Sequence, residues 1–268
     1  MRVGECLVLV GLAVGSAWGT FLVLNFQPLP ARKANKLEWS LAATQCNIGD
    51  CYRDGFGVAK DTAEAAKWFR KAAEQGHAAA QYALGSLYLK GDGVVQNKAE
   101  AVKWFRRAAE RGLDKAQAVL GDFYKRGDGV AQDKTEAVKW FRKAAEQGLA
   151  LAQHNLALLY FHDEGMTQGK TEAVRWFRKA AEQGLADAQY TLGVCYYNGD
   201  GMAQDKSEAV MWFRKAAEQG YDDAQYALGC LYCEGEGIEK NMIEAAKWLR
   251  KAAEQGHQAA KEKLAEFK

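Results

Sequence analysis

The chain has 268 residues, a formal net charge of +2 and 26% charged residues. Both signs are interspersed, and no basic block or acidic tail points to nucleic acid or to a polycation as partner. Length alone would allow two domains, but a regular internal period replaces that expectation with one elongated array.

The first 26 residues form a class of their own. From Cys6 to Phe26 the chain is apolar apart from small residues, Thr20 and Asn25. Those 21 residues are enough to cross a bilayer core of ~30 Å. A secretory signal would have a shorter apolar stretch and a small-residue cleavage site, which Gly15-Ser16-Ala17 could supply. Signal peptide and retained membrane anchor are therefore both open for residues 1–26, followed by a linker over 27–40 that holds Pro28 and Pro30. Arg32, Lys33 and Lys36 would keep the repeats cytoplasmic under the positive-inside rule, whereas export would place them outside. The expectation is an exported or membrane-anchored protein with periplasmic or secreted repeats, meeting membrane only through this segment.

From residue 41 to 268 one unit of 36 residues recurs, with Trp68, Trp104, Trp140, Trp176, Trp212 and Trp248 in register. The closing glycine keeps the same step from Gly76 to Gly256. A fixed period of this size marks a solenoid, whose units bury their apolar faces only by stacking. In the second unit Ala80, Leu84, Leu87 and Tyr88 follow helical spacing, and Gly91 and Gly93 then turn the chain. Asn97 with Glu100 predicts an Asx version of the capping box, repeated at Asp61/Glu64, Asp133/Glu136, Asp205/Glu208 and Asn241/Glu244. Gly169 with Glu172 is a weaker start. A second helix carrying Ala101, Trp104, Phe105 and Ala108 completes an αα-hairpin. After the sixth unit, His257–Lys268 predicts a lone capping helix.

The run Ala-Gln-Tyr-Ala-Leu-Gly-x-x-Tyr-x-x-Gly-x-Gly-Val at Ala80–Val94 is followed by Glu-Ala-x-Lys-Trp-Phe-Arg in the second helix. Together they resemble the Sel-1-like repeat family, a branch of the tetratricopeptide superfamily. Residues 41–268 share the resemblance, with departures at Cys46, Ala157 and Asp163. It implies an all-α, right-handed αα-superhelix acting as a non-enzymatic adaptor or scaffold that binds a protein or peptide in its concave groove. Many bacterial members are exported, so a secreted factor that binds a host receptor or antibody is the alternative. A cysteine-rich branch has been linked to β-lactam or cell-wall hydrolysis and bridges the helices of each unit. This chain has no cysteine in any second helix, so the resemblance to that branch fails.

Comparing the six copies separates fixed from changeable positions in the first helix of each unit. Gln45, Leu84, Tyr88 and their equivalents hardly change, and stacking demands that constancy. The changeable positions fall on another arc of the wheel at roughly 100° per residue. They carry Asn47, Asp50, Arg53 and Asp54; Ser86, Leu89 and Lys90; Asp122, Lys125 and Arg126. The later units carry Asn155, Leu158, Phe161 and His162; Val194, Tyr197 and Asn198; Cys230, Cys233 and Glu234. In the superhelix that the resemblance implies, first helices line the concave side. This stripe, charged early and apolar late, is therefore the candidate groove.

Other chemistry finds little support. The Gly-x-Gly elements follow helices, not strands, and read as turns rather than nucleotide loops. Cys230-x-x-Cys233 lacks further ligands for zinc and the βαβ setting of a redox motif. Five repeat cysteines cannot all pair within one chain, so they read as buried or groove-lining thiols. His154 and His162 are eight residues apart on one helix and cannot share an ion. No catalytic, metal or cofactor site is expected, nor an obligate small molecule.

Overall fold

The computed structural model describes residues 31–162 and 169–267, and within them every regular element is a helix. The apolar segment, the first four linker residues and the fourth-unit turn with Asp163 lie outside the described residues. None of the described helices is long and apolar enough to cross a membrane. Two compact units divide the chain, residues 1–113 and 114–268.

The first unit contains two hairpins: α1 (Ala31–Asp54) with α2 (Thr62–Glu74), and α3 (Ala78–Lys90) with α4 (Lys98–Glu110). Residues 31–40, expected as linker, are the first ten residues of α1. The second unit stacks four hairpins: α5 (Asp114–Arg126) with α6 (Lys134–Glu146), α7 (Ala150–Phe161) with α8 (Gly169–Glu182), α9 (Ala186–Asn198) with α10 (Lys206–Glu218), and α11 (Asp222–Glu234) with α12 (Met242–Glu254). A final short helix, α13 (Gln258–Ala265), stands where the first helix of a hairpin would.

Each second helix inserts a fully buried ring or leucine, Phe69 and Phe105 in the first unit, Phe141, Phe177, Phe213 and Leu249 in the second. In five of the six hairpins the opposing first helix answers with glycine, because a Cβ at Gly193 would meet the Phe213 ring at 2.8 Å; Ala157 stands there opposite Phe177. The tryptophans are less central than the sequence implied. Trp104, Trp140, Trp212 and Trp248 are buried, but Trp68 and Trp176 are only half-buried. A cation three residues on covers one face of each ring, from Lys215 at 4.0 Å to Arg107 at 4.5 Å.

The expected caps form, but by half. Asp61 accepts from Glu64 N at 2.9 Å and Asn97 from Glu100 N at 3.0 Å, with the same bond at Asp133, Asp205 and Asn241. The reciprocal glutamate bond of a capping box is replaced. The cap residue's own N–H donates to a tyrosine carbonyl of the preceding helix, as Asp205 does to Tyr196 at 2.9 Å. Glu64, Glu100, Glu136 and Glu244 instead pair with the lysine three residues on.

A glutamine ladder ties three helices together at each step. Gln189 is buried, donates to Ala181 O at 3.1 Å, and accepts from Gln219 Nε2 at 2.7 Å. Gln153 and Gln225 repeat both bonds. In the first unit Gln81 donates to Ala73 O at 3.0 Å, yet its buried Oε1 has no partner. The position equivalent to Gln219 is Arg111 there, and its guanidinium lies over Gly76 instead. Arginine–tyrosine bonds form a second ladder, Arg70–Tyr88 and Arg142–Tyr160, with Arg178 to Tyr196 at 2.6 Å and Arg214 to Tyr232 at 2.7 Å.

Candidate functional site

All twenty stripe residues lie on first helices or at their C-terminal ends. In the first unit the stripe lines a depression of about 550 Å³ between α1 and α3. Asp50, Arg53 and Asp54 form one wall, Ser86 and Lys90 the other. Arg53 bridges Asp50 at 2.8 Å and Asp54 at 2.7 Å. Burial pushes the Asp50 carboxyl up, with Arg53 opposing it, while the bond from Arg53 holds Asp54 down. Asn47 is exposed on α1 but does not line the depression.

Two charged wall residues escaped the sequence reading: Lys60 and Asp92, both in turns. A signal for Lys60 was present. Its equivalents Gln96, Gln132 and Gln204 are spent on the carbonyls of Leu89, Lys125 and Tyr197, so the lysines at that place, Lys60 and Lys240, break the pattern.

In the second unit the stripe is divided between surface and packing. Asp122 holds Arg126 at 3.0 Å, and Lys125 reaches Asn155 at 3.5 Å. Leu158, Val194 and Tyr197 are half-buried against the core, and Phe161 stacks edge-on against Phe177 at 6.1 Å. Tyr197 donates to Glu236 at 2.8 Å. His162, Asn198 and Glu234 stay exposed. Cys230 and Cys233 pack with Leu264 and Phe267, beside α13. The apolar end of the expected groove is thus largely employed in holding the repeats together. The open, charged residues are those of the first unit together with Asp122, Lys125 and Arg126.

The remaining chemistry is quiet. Cys46, Cys195, Cys230 and Cys233 are free thiols, and burial pushes Cys46 up to about 11 and Cys195 up to about 12. Such groups stay protonated and make poor nucleophiles. His77 and His257 cap α3 and α13 by accepting from Ala80 N at 3.3 Å and Ala260 N at 3.2 Å. Among the described residues no cluster of His, Cys, Asp or Glu could hold a metal ion.

Comparison with known proteins fits this geometry. The Sel1 repeat model matches six times, at residues 42–77, 78–113, 114–149, 150–185, 186–221 and 222–257. A protective antigen present in uropathogenic Escherichia coli strains and displaying an SLR fold is 38% identical, with a TM-score of 0.81 over 88% of this chain. The chain spans only 50% of that protein's length. A Sel1 repeat protein from Oxalobacter formigenes is 36% identical, with a TM-score of 0.70, over 82% of this chain and 93% of that one. No curated protein matches the sequence. The chain belongs to the Sel1 repeat family, whose members generally serve as protein-interaction scaffolds.

Proposed function

We propose that this protein is a non-enzymatic scaffold that captures a charged segment of a partner protein along the first-helix stripe, chiefly in the first unit. The observation that carries the reading is the depression between α1 and α3. Asp50, Asp54 and Asp92 line it together with Lys60 and Lys90, around a space large enough for several side chains. Both signs on each wall suit a peptide of mixed charge, and complementary charge acts on partner choice more than on raw affinity. Raised thiol pKa values at Cys46 and Cys195 support a binding role over a catalytic one.

Export or tethering is part of the same proposal, supported by the apolar run from Cys6 to Phe26. A second reading, a secreted factor bound by a host protein, draws support from the 38% identical relative being a protective antigen. Sequencing the mature N-terminus separates a retained anchor from a cleaved signal. For the scaffold itself, affinity capture from the source organism's envelope and medium identifies partners with the native chain. The double variant Lys60→Glu, Lys90→Glu should then lose them while keeping the native helical melting curve. Capture of the same set by that variant would remove the first-unit depression from the proposal.

A further inference from the structure

At two joints of the second unit, one position of a first helix carries a ring that covers the residue capping the next first helix. Tyr226 stacks on His257 with centroids 4.6 Å apart and planes at 22°, and Tyr190 lies 5.2 Å from Tyr221. Each ring also stands close to the facing helix, so that Lys263 acts electrostatically on Tyr226 and Asp223 on Tyr190.

The matching joint of the first unit, between α1 and α3, keeps the cap and lacks the ring. His77 stands where Tyr221 and His257 stand, and caps α3 with the same nitrogen that His257 uses on α13. The ring position, however, is Cys46, and the facing positions of Asp223 and Lys263 are Ala79 and Ala83. Cys46, Ala79 and Ala83 all line the depression of about 550 Å³, with Tyr82, held against Phe105 at 5.4 Å, as an aromatic wall. His77 lies within electrostatic reach of Asp50 on the same wall as Cys46. Loss of the ring does not by itself open a site. Ala118 has no ring either, but there Leu149, Leu151 and Asn155 stand where His77, Ala79 and Ala83 do. Between α1 and α3 the residues on both sides of the ring's place are small.

We propose that this depression anchors an aromatic side chain of the partner, a tyrosine seated over Cys46 beside His77 and Tyr82 and flanked in its peptide by charged residues. The proposal rests on the depression being the capture site and adds what the captured segment carries. The ring that the second unit supplies from its own chain is supplied here by the partner. One large aromatic buried in a fitted recess contributes more to affinity than charges at the edge, which select among partners. Lys60, Lys90 and Asp92 stand at that edge, while Arg53 is already held by Asp50 and Asp54.

Titration of the full chain in mild non-ionic detergent with three capped peptides, Lys-Asp-X-Lys-Asp with tyrosine, leucine or alanine at X, tests this. The tyrosine peptide should bind at least tenfold more tightly than the other two. Cys46→Tyr restores the ring that the second unit carries, and should bring the tyrosine peptide down to the level of the alanine one with the helical melt kept. Ala83→Leu fills the same space from α3 and serves where Cys46→Tyr fails to fold. Lys60→Glu combined with Lys90→Glu should weaken all three peptides alike, which separates the anchor from the charged edge. Equal binding of the three peptides that this double variant still abolishes would overturn the anchor and leave the charged capture site standing. Tyrosine binding untouched by Cys46→Tyr and Ala83→Leu would overturn the anchor too. So would a tyrosine peptide that does not bind, as when the chain itself or a second copy fills the space.

Discussion

At the scale of single residues, the informative places are those where one copy departs from the other five. Arg111 is such a place: it leaves the buried Oε1 of Gln81 unpaired, while Gln219 and Gln255 satisfy the same atom of Gln189 and Gln225. An unsatisfied buried acceptor costs about 1–3 kcal/mol, and restoring a typical bond returns about 1. Arg111→Gln should therefore raise stability by roughly 1 kcal/mol in chemical denaturation. Gln219→Ala should lower it by a comparable or larger amount. His154 stands at a more variable position, held by Tyr82, Tyr190 and Tyr226 in three repeats and by Cys46 and Ala118 in the other two. Its ring lies 5.4 Å from that of Phe177, its Nδ1 is buried without a partner, and burial holds its pKa below 6.5. A depressed folded pKa means that stability is complete above 6.5 and is lost as pH falls from there through the folded value. Melting temperature measured against pH should drop on the acid side, and His154→Tyr should flatten that drop.

At the scale of the helix pair, the sequence spoke clearly wherever one helix carries the information. Helical spacing, Asx caps and glycine stops are all local, and Asp61, Asn97 and Asp133 cap their helices as the pattern implied. What stayed hidden depends on helices that meet across a turn. Nothing in a single helix says that a tyrosine carbonyl already occupies the cap's N–H, which leaves Glu64 to Lys67. The periodicity of α11 likewise does not show that Leu264 and Phe267 pack against Cys230. The turn glycines are a related case, since their common role as turns conceals two different constraints. Gly220 has φ of +92° with open space beside it, whereas Gly237, at φ of +68°, lies against the Lys206 backbone. Alanine at Gly220 should thus cost only backbone strain, of order 1–3 kcal/mol. At Gly237 the same change adds a backbone clash, so it should cost clearly more in denaturant titration and should lower the cooperativity of the second unit.

At the scale of the whole molecule, fold and site differ in how far they can be read from one sequence. The fold is legible because stacking forces the same residues to recur, as Leu84, Leu120, Leu156, Leu192 and Leu228 do, all fully buried. The candidate site is legible only as the residues left over from that demand. Its apolar half shows why this is not enough: Leu158, Val194 and Tyr197 vary from copy to copy and still pack on the core. If each repeat is an interchangeable rung, removing one whole period should preserve every joint. Deleting residues 186–221 would leave Gln183 still bonded to Gln153 and would bring α11 onto α8 with the same glutamine, alanine and leucine positions that α9 presents. Nearest-neighbour stacking then predicts a folded protein with proportionately less helix and a lower melting temperature, because only one repeat and one interface are lost. Deleting 186–203 alone would instead place a second helix against a second helix, with Phe213 facing no glycine. Circular dichroism at 222 nm should show a cooperative melt for the first deletion and a broad, early one for the second. Equal behaviour of the two deletions would mean that the repeats do not stabilise one another through their period.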